Sequence, residues 1–227
     1  MFDSIIKAYN EAVFDTDKEA AFAIIDKALA NGVTPESIVF QVVIPAIEMM
    51  MQDIKKDPDS NLAQHFMTAK IASEVTEKMF ALFQKSPHFI GRVIIGTTAG
   101  DLHSLGKRIV SGCLKAMMVD VIDIGTNVLP EEFVTAAIQH DAQVIAISAM
   151  MVHTATDEHG CLGVRALLQE QQLENKIKIV VGGAPYRFDS ELYKFVGADA
   201  WAEDGVSASK VIVNLIHEIK EQTQHRS

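Results

Sequence analysis

The chain has 227 residues, 48% hydrophobic and 22% charged, the balance of a globular protein with room for one large domain or two small ones. A formal net charge of −10 leaves no basic face for a nucleic-acid backbone and serves solubility instead. No run reaches the ~20 apolar residues of a membrane span, and Asp3, Lys7 and Glu11 break any leader-like start, so no membrane contact and a cytoplasmic location are expected.

Residues 1 to about 86 read as helix throughout. Phe2, Ile5, Ile6, Tyr9 and Val13 recur at spacings of three and four, one stripe of a first helix. The second begins at a cap, Asp15 or Asp17, and stops at Asn31-Gly32. Thr34 caps the third, with Pro35 at its first position, and Pro45 is expected to kink or split it. "NLAQHFMTAKIASEVTEKMFALFQKS" forms the fourth, ending before Pro87. Four helices with short connections predict a bundle over residues 1–88. Met49-Met50-Met51 reads as core packing, with a flexible apolar lid as the alternative.

From Ile90 the period changes. "RVIIGT", "MVDVIDIG", "AQVIAISAM", "KIKIVVGG" and a weaker "ADAWAED" alternate with helical stretches, and "GVSASKVIVNLIHEIKEQTQ" closes the chain. Continuous apolar strands imply burial on both faces. The fold class is therefore α/β: an N-terminal four-helix bundle, then a doubly wound, flavodoxin-like domain with a parallel five-stranded sheet over residues 89–227. Ligands of such sheets sit beyond the carboxyl ends of the strands.

Those ends carry Gly96 to Asp101 and His103 after the first strand. Ser148, Met150, His153 and Thr154 follow the third, Gly182, Gly183 and Ala184 the fourth, and Trp201, Glu203 and Asp204 the fifth. Neither a G-x-G-x-x-G nor a G-x-x-x-x-G-K-[ST] pattern is present, so a nucleotide phosphate has no dedicated loop. Cys113 and Cys161 stand at no metal-ligand spacing, make no disulfide framework, and read as buried apolar residues. A lone His in a loop is ordinarily a solvated residue. Asp101, two residues before His103, changes that: its carboxylate can fix the imidazole tautomer and leave the free nitrogen a better metal ligand. Ser148 or Thr154 offers a hydroxyl to extend the pair into a relay. His153 and His159 lie near the same edge, but no H-E-x-x-H pattern supports a zinc site. One imidazole with an Asp partner suits a metal whose other ligands come from a macrocycle.

"DLHSLG", residues 101–106, resembles the D-x-H-x-x-G signature of cobalamin-binding domains. Ser148, the Gly182-Gly183 pair, "GADAWAED" and the leading helices follow in the family's order. The chain resembles small corrinoid proteins of methanol, methylamine and methoxy-compound methyltransferase systems, and is similar to the cobalamin module of methionine synthase. The resemblance implies His103 as lower cobalt ligand and Asp101 as its partner, the two residues closest to the catalysis. Gly100, Leu102, Ser104, Leu105, Gly106 and Met150 would border the corrin, and Thr154 would extend the relay. The nucleotide tail would run past Ser148, Gly182, Gly183 and Ala184, near Glu203; Trp201 reads as a core or edge aromatic, with stacking near the tail as the alternative. Ser104, Arg108 and Val152-His153 depart from the common pattern and leave the methyl donor open.

The resemblance also implies a function. Cobalt cycling between Co(I) and methyl-Co(III) would carry a methyl group from a donor-side to an acceptor-side methyltransferase, with a reductive activator as a further partner. The helical bundle would cover the upper cobalt face and move aside during transfer. Two alternatives stay open. A cobalamin-dependent sensor would carry a basic DNA-binding segment, and nothing basic precedes Phe2. The small cobalamin subunit of a mutase would prefer adenosylcobalamin and has no need of the bundle.

Overall fold

The computed structural model describes residues 2–47, 49, 62–83 and 88–224. The chain forms two compact units, one of Met1–His88 with Gly112–Met118, the other of Phe89–Ser111 with Val119–Ser227.

The helical unit opens with α1 (Phe2–Phe14), which buries Tyr9, Ala12 and Val13, and α2 (Lys18–Ala30), which buries Ala21, Ile25 and Ala28. Of the two expected caps, Asp17 is the one used: its carboxylate accepts the N–H of Ala20 at 2.9 Å. Thr34 caps α3 by accepting the N–H of Ser37 at 3.2 Å, with Pro35 next, as the spacing predicts. Pro45 does not split α3. The helix starts at Pro35–Ile38, widens to a π-helix over Val39–Val43, and stays helical over residues 44–47. Ile44 donates its N–H to the carbonyl of Val39, five residues back. A proline inside a helix lacks its own N–H and crowds the carbonyl four residues earlier, and the wider turn falls on that stretch. The methionine trio lies outside the described residues apart from Met49. α4 (Leu62–Phe80) buries Ala69, Ile71, Ala72, Val75 and Met79 and ends earlier than expected, with residues 81–83 no longer helical; residues 84–86 of the expected helix lie outside the described residues.

The second unit is built on β1 (Arg92–Thr97), β2 (Asp120–Asp123), β3 (Val144–Ser148), β4 (Lys178–Gly182) and β5 (Ala200–Ala202). All pair in parallel, in the order β2-β1-β3-β4-β5, the flavodoxin-like arrangement. Between them run α5 (Leu105–Ala116), whose residues from Gly112 onward count with the helical unit, α6 (Pro130–Gln139), α7 (Val152–Thr156), α8 (Cys161–Glu170), α9 (Ala184–Phe188) and α10 (Leu192–Phe195), and α11 (Gly205–Gln224) follows β5.

Alternation along the strands sorts their side chains. Ile94, Ile145, Ile147, Ile179 and Val181 form one core with Phe133 and Val134 of α6 and Val164 and Leu168 of α8. Val93, Ile95, Val144, Ala146 and Val180 are buried on the other face, and α11 packs over β3, β4 and β5 with Ile212 and Ile216 buried. At the carboxyl ends the register brings Thr97, Ser148, Gly182 and Ala202 into one row. They share the parity of the second face, so small residues end the sheet there. β1 and β3 are neighbours whose connections leave in opposite directions, which opens the crevice at this edge.

Candidate functional site

Asp101 and His103 stand where that crevice opens. The Gly100 backbone is left-handed, φ +78°, which turns the chain sharply as it leaves β1. Asp101 then folds back. Its carboxylate Oδ1 accepts the backbone N–H of His103 and the ring Nδ1–H, each at 2.8 Å. Its Oδ2 accepts the N–H of Met150 from the loop after β3. A carboxylate only accepts, so the bond at Nδ1 places the ring proton there and leaves the Nε2 lone pair outward.

Burial separates the two partners. The Asp101 side chain is 1% exposed and that of His103 is 60% exposed. Burial pushes the Asp101 carboxyl up. The bonds from the N–H groups of Met150 and His103 and from the His103 ring outweigh it and hold the carboxyl below its ordinary value. The Asp is thus a fixed anion inside the protein, holding the exposed imidazole through Nδ1.

The expected hydroxyl relay is replaced by a backbone donor. Thr154 is buried near the site, but its hydroxyl donates to the carbonyl of Met151 at 2.9 Å, and the second oxygen of Asp101 is served by the Met150 amide. Ser148 ends β3 half-buried, in register with Thr97 and Gly182. Gly106 opens α5 opposite it: a Cβ added at 106 would meet only the Ser148 hydroxyl, at 3.9 Å. A Cβ at Gly182 would meet only the carbonyl of Ala202, at 3.6 Å, so the row of small residues leaves a trough that side chains would fill. Ala184 begins α9 directly after the pair of glycines. Glu203 is exposed at the end of β5. Trp201 stands apart: it lies in register with Val181 and packs with the core on the α6 and α8 side, not with the trough.

Large apolar side chains are exposed on the loops after β1 and β3 that carry the pair and its Met150 amide. Leu102 is 73% exposed, and Leu105, Met150, Met151 and Val152 are all exposed. Apolar surface gathered around one polar group marks a binding site. Among the described residues no three His, Cys, Asp or Glu side chains group to hold a metal. A single exposed imidazole on loops with exposed apolar side chains, at the edge where Thr97, Ser148, Gly182 and Ala202 end the strands, suits a flat ligand that brings its own metal and a tail. Cys113 and Cys161 are both buried, outside the site, and among the described residues no helix is long and apolar enough to cross a membrane.

Sequence reasoning missed the loop after β2. Asn127 there donates its N–H to the carbonyl of Asp101 and to Oγ1 of Thr97, each at 3.0 Å. Its Oδ1 accepts the N–H of Gly100 at 2.7 Å. Lys107, buried at the start of α5, is bonded to both carboxylate oxygens of Asp123 at the end of β2.

The B12 binding domain family matches residues 91–210. Trimethylamine corrinoid protein 1 of Methanosarcina acetivorans is 29% identical over 219 residues, which cover 94% of this chain and 98% of that protein. Dimethylamine corrinoid protein 3 of the same organism is 30% identical over 208 residues, 91% of this chain and 94% of its own. Among solved structures, a cobalamin-binding protein from Desulfitobacterium hafniense matches with a TM-score of 0.74 at 18% identity, over 92% of this chain and 98% of the other. A chain of the methanol:cobalamin methyltransferase complex from Methanosarcina barkeri matches with a TM-score of 0.76 at 21% identity, over 95% and 80%. These two structural likenesses bear on the fold.

Proposed function

The chain belongs to the B12 binding domain family, and from that membership we propose that it is a corrinoid protein carrying a methyl group between a donor-side and an acceptor-side methyltransferase. Its relatives named for methylamine systems match it over nearly its whole length. They favour this reading over the sensor and mutase alternatives. The observation that carries the site assignment is the buried Asp101 carboxylate holding the exposed His103 imidazole at the β1/β3 edge.

In this reading Nε2 of His103 would hold the cobalt. Asp101 keeps the proton on Nδ1 and fixes the ring's direction, which raises the basicity of the ligating nitrogen. Leu102, Leu105 and Met150 would border the macrocycle, and Ser148, Gly182 and Ala184 would line the path of its tail. When bound, the cobalt supplies the nucleophile that takes up a methyl group and gives it away, and the protein's share is binding, orientation and tuning. The module of residues 89–227 does this work, with residues 1–88 as a separate helical module. A reductive activator is a further partner, and the carrier works in the cytoplasm.

The test is the visible spectrum of the protein reconstituted with hydroxocobalamin, beside that of His103→Ala. The parent should show a histidine-ligated, base-off corrinoid, and the variant should lose that signature. Identical spectra from the two proteins would overturn the assignment of His103.

A further inference from the structure

Resting on the reading of His103 as the cobalt ligand, we propose that Asn127 is a positioning residue for the Asp101–His103 pair. It touches neither the imidazole nor the carboxylate. It grips the backbone that carries them, from both sides of one peptide. Its Oδ1 accepts the N–H of Gly100 at 2.7 Å, and its own N–H donates to the carbonyl of Asp101 at 3.0 Å.

A third contact closes the bracket. The Asn127 N–H also reaches Oγ1 of Thr97 at 3.0 Å, and that hydroxyl donates to the same Asp101 carbonyl. Thr97 is fully buried and bonded through its backbone to the same loop, its N–H to Gly125 and its carbonyl to Val128. The turn at Gly100 is therefore fixed against β1 and the β2–α6 loop together. That turn decides where the carboxylate of Asp101 points. Asp101 in turn decides where Nε2 of His103 points.

The residue type follows from the geometry. Asn127 has φ +57°, in the left-handed region. Asn and Asp tolerate that region and carry a short side chain with an acceptor oxygen. Glycine tolerates the backbone but offers no acceptor. Asn127→Gly therefore removes the grip on Gly100 without straining the loop. Asn127→Asp keeps an acceptor at the same place and serves as the rescue.

The experiment loads parent, N127G and N127D with hydroxocobalamin and records the histidine-ligated fraction from the visible spectrum. It also records the affinity from a spectral titration and the thermal midpoint of each unloaded chain. N127G should lose about tenfold in affinity, the lower end for loss of an outer partner of a metal ligand, and shift toward the histidine-off spectrum. N127D should keep the parent's values, and all three midpoints should agree within a few degrees. Parent-like affinity and spectrum in N127G would overturn the proposal. So would an N127D that falls as far as N127G, or a collapsed N127G midpoint, which would mark general scaffolding. A parent without a histidine-ligated spectrum brings down the functional reading and this proposal with it. A ligated parent with an unaffected N127G brings down this proposal alone.

Discussion

Gly182 and Gly183 are adjacent, yet each is glycine for its own reason. Gly183 has φ +123°, and a Cβ there would stand 1.9 Å from the carbonyl of Ala149. No side chain fits, whatever the ligand. Gly183→Ala should therefore cost about 3 kcal/mol of stability in urea unfolding of the unloaded chain. Gly182 has ordinary strand geometry and 3.6 Å of clearance to the Ala202 carbonyl. Gly182→Ala should stay within about 1 kcal/mol of the parent, while a spectral titration shows weaker cobalamin binding. Equal stability losses in the two variants would contradict this division of labour.

Among the helices, the clearest stability prediction concerns α2. Asp17 accepts the Ala20 N–H, so Asp17→Ala should cost about 1 kcal/mol in thermal or urea unfolding. Asp15→Ala should change stability by less than about 0.5 kcal/mol, as surface substitutions do. The apolar runs and capping residues made the helices and the parallel sheet legible from sequence, because burial and propensity act locally. Two features were not legible. The π-turn before Pro45 depends on how α3 satisfies its hydrogen bonds in three dimensions. The Met150 amide that replaces the expected Thr154 hydroxyl is a backbone donor, and backbone donors look the same at every residue. Asn127 was within reach: a Gly-x-Asn loop after a strand offers a left-handed residue with an acceptor, but the loop after β2 carries no titratable signature to draw attention. Trp201 was legible as a core or edge aromatic, but the parity of so short a strand fixes its face only once the register is known.

The whole molecule offers two built-in reporters. Cys113 belongs to the helical unit and Cys161 to the α/β unit, and both are buried. Burial pushes the Cys161 thiol up to about 12, so little reactive thiolate forms at neutral pH. Neither thiol should react with an aromatic disulfide reagent in native buffer. In rising urea, mass-spectrometric labelling of each should report the opening of its own unit. Fast labelling without denaturant would contradict the buried placement. The α/β unit also holds the Asp-x-His arrangement twice. Asp157 accepts the backbone N–H and ring Nδ1–H of His159, each at 2.8 Å, the same distances as in the first pair. Asp157, however, is 53% exposed, and its carboxylate stands in water. Three residues suffice to write the pair, and loops will write it often by chance. An engineer who grafts Asp-x-His into a new scaffold therefore transfers only the easily copied half. The half that does not travel is the enclosure: a strand end to bury the acid, and a neighbouring loop to lend it an amide.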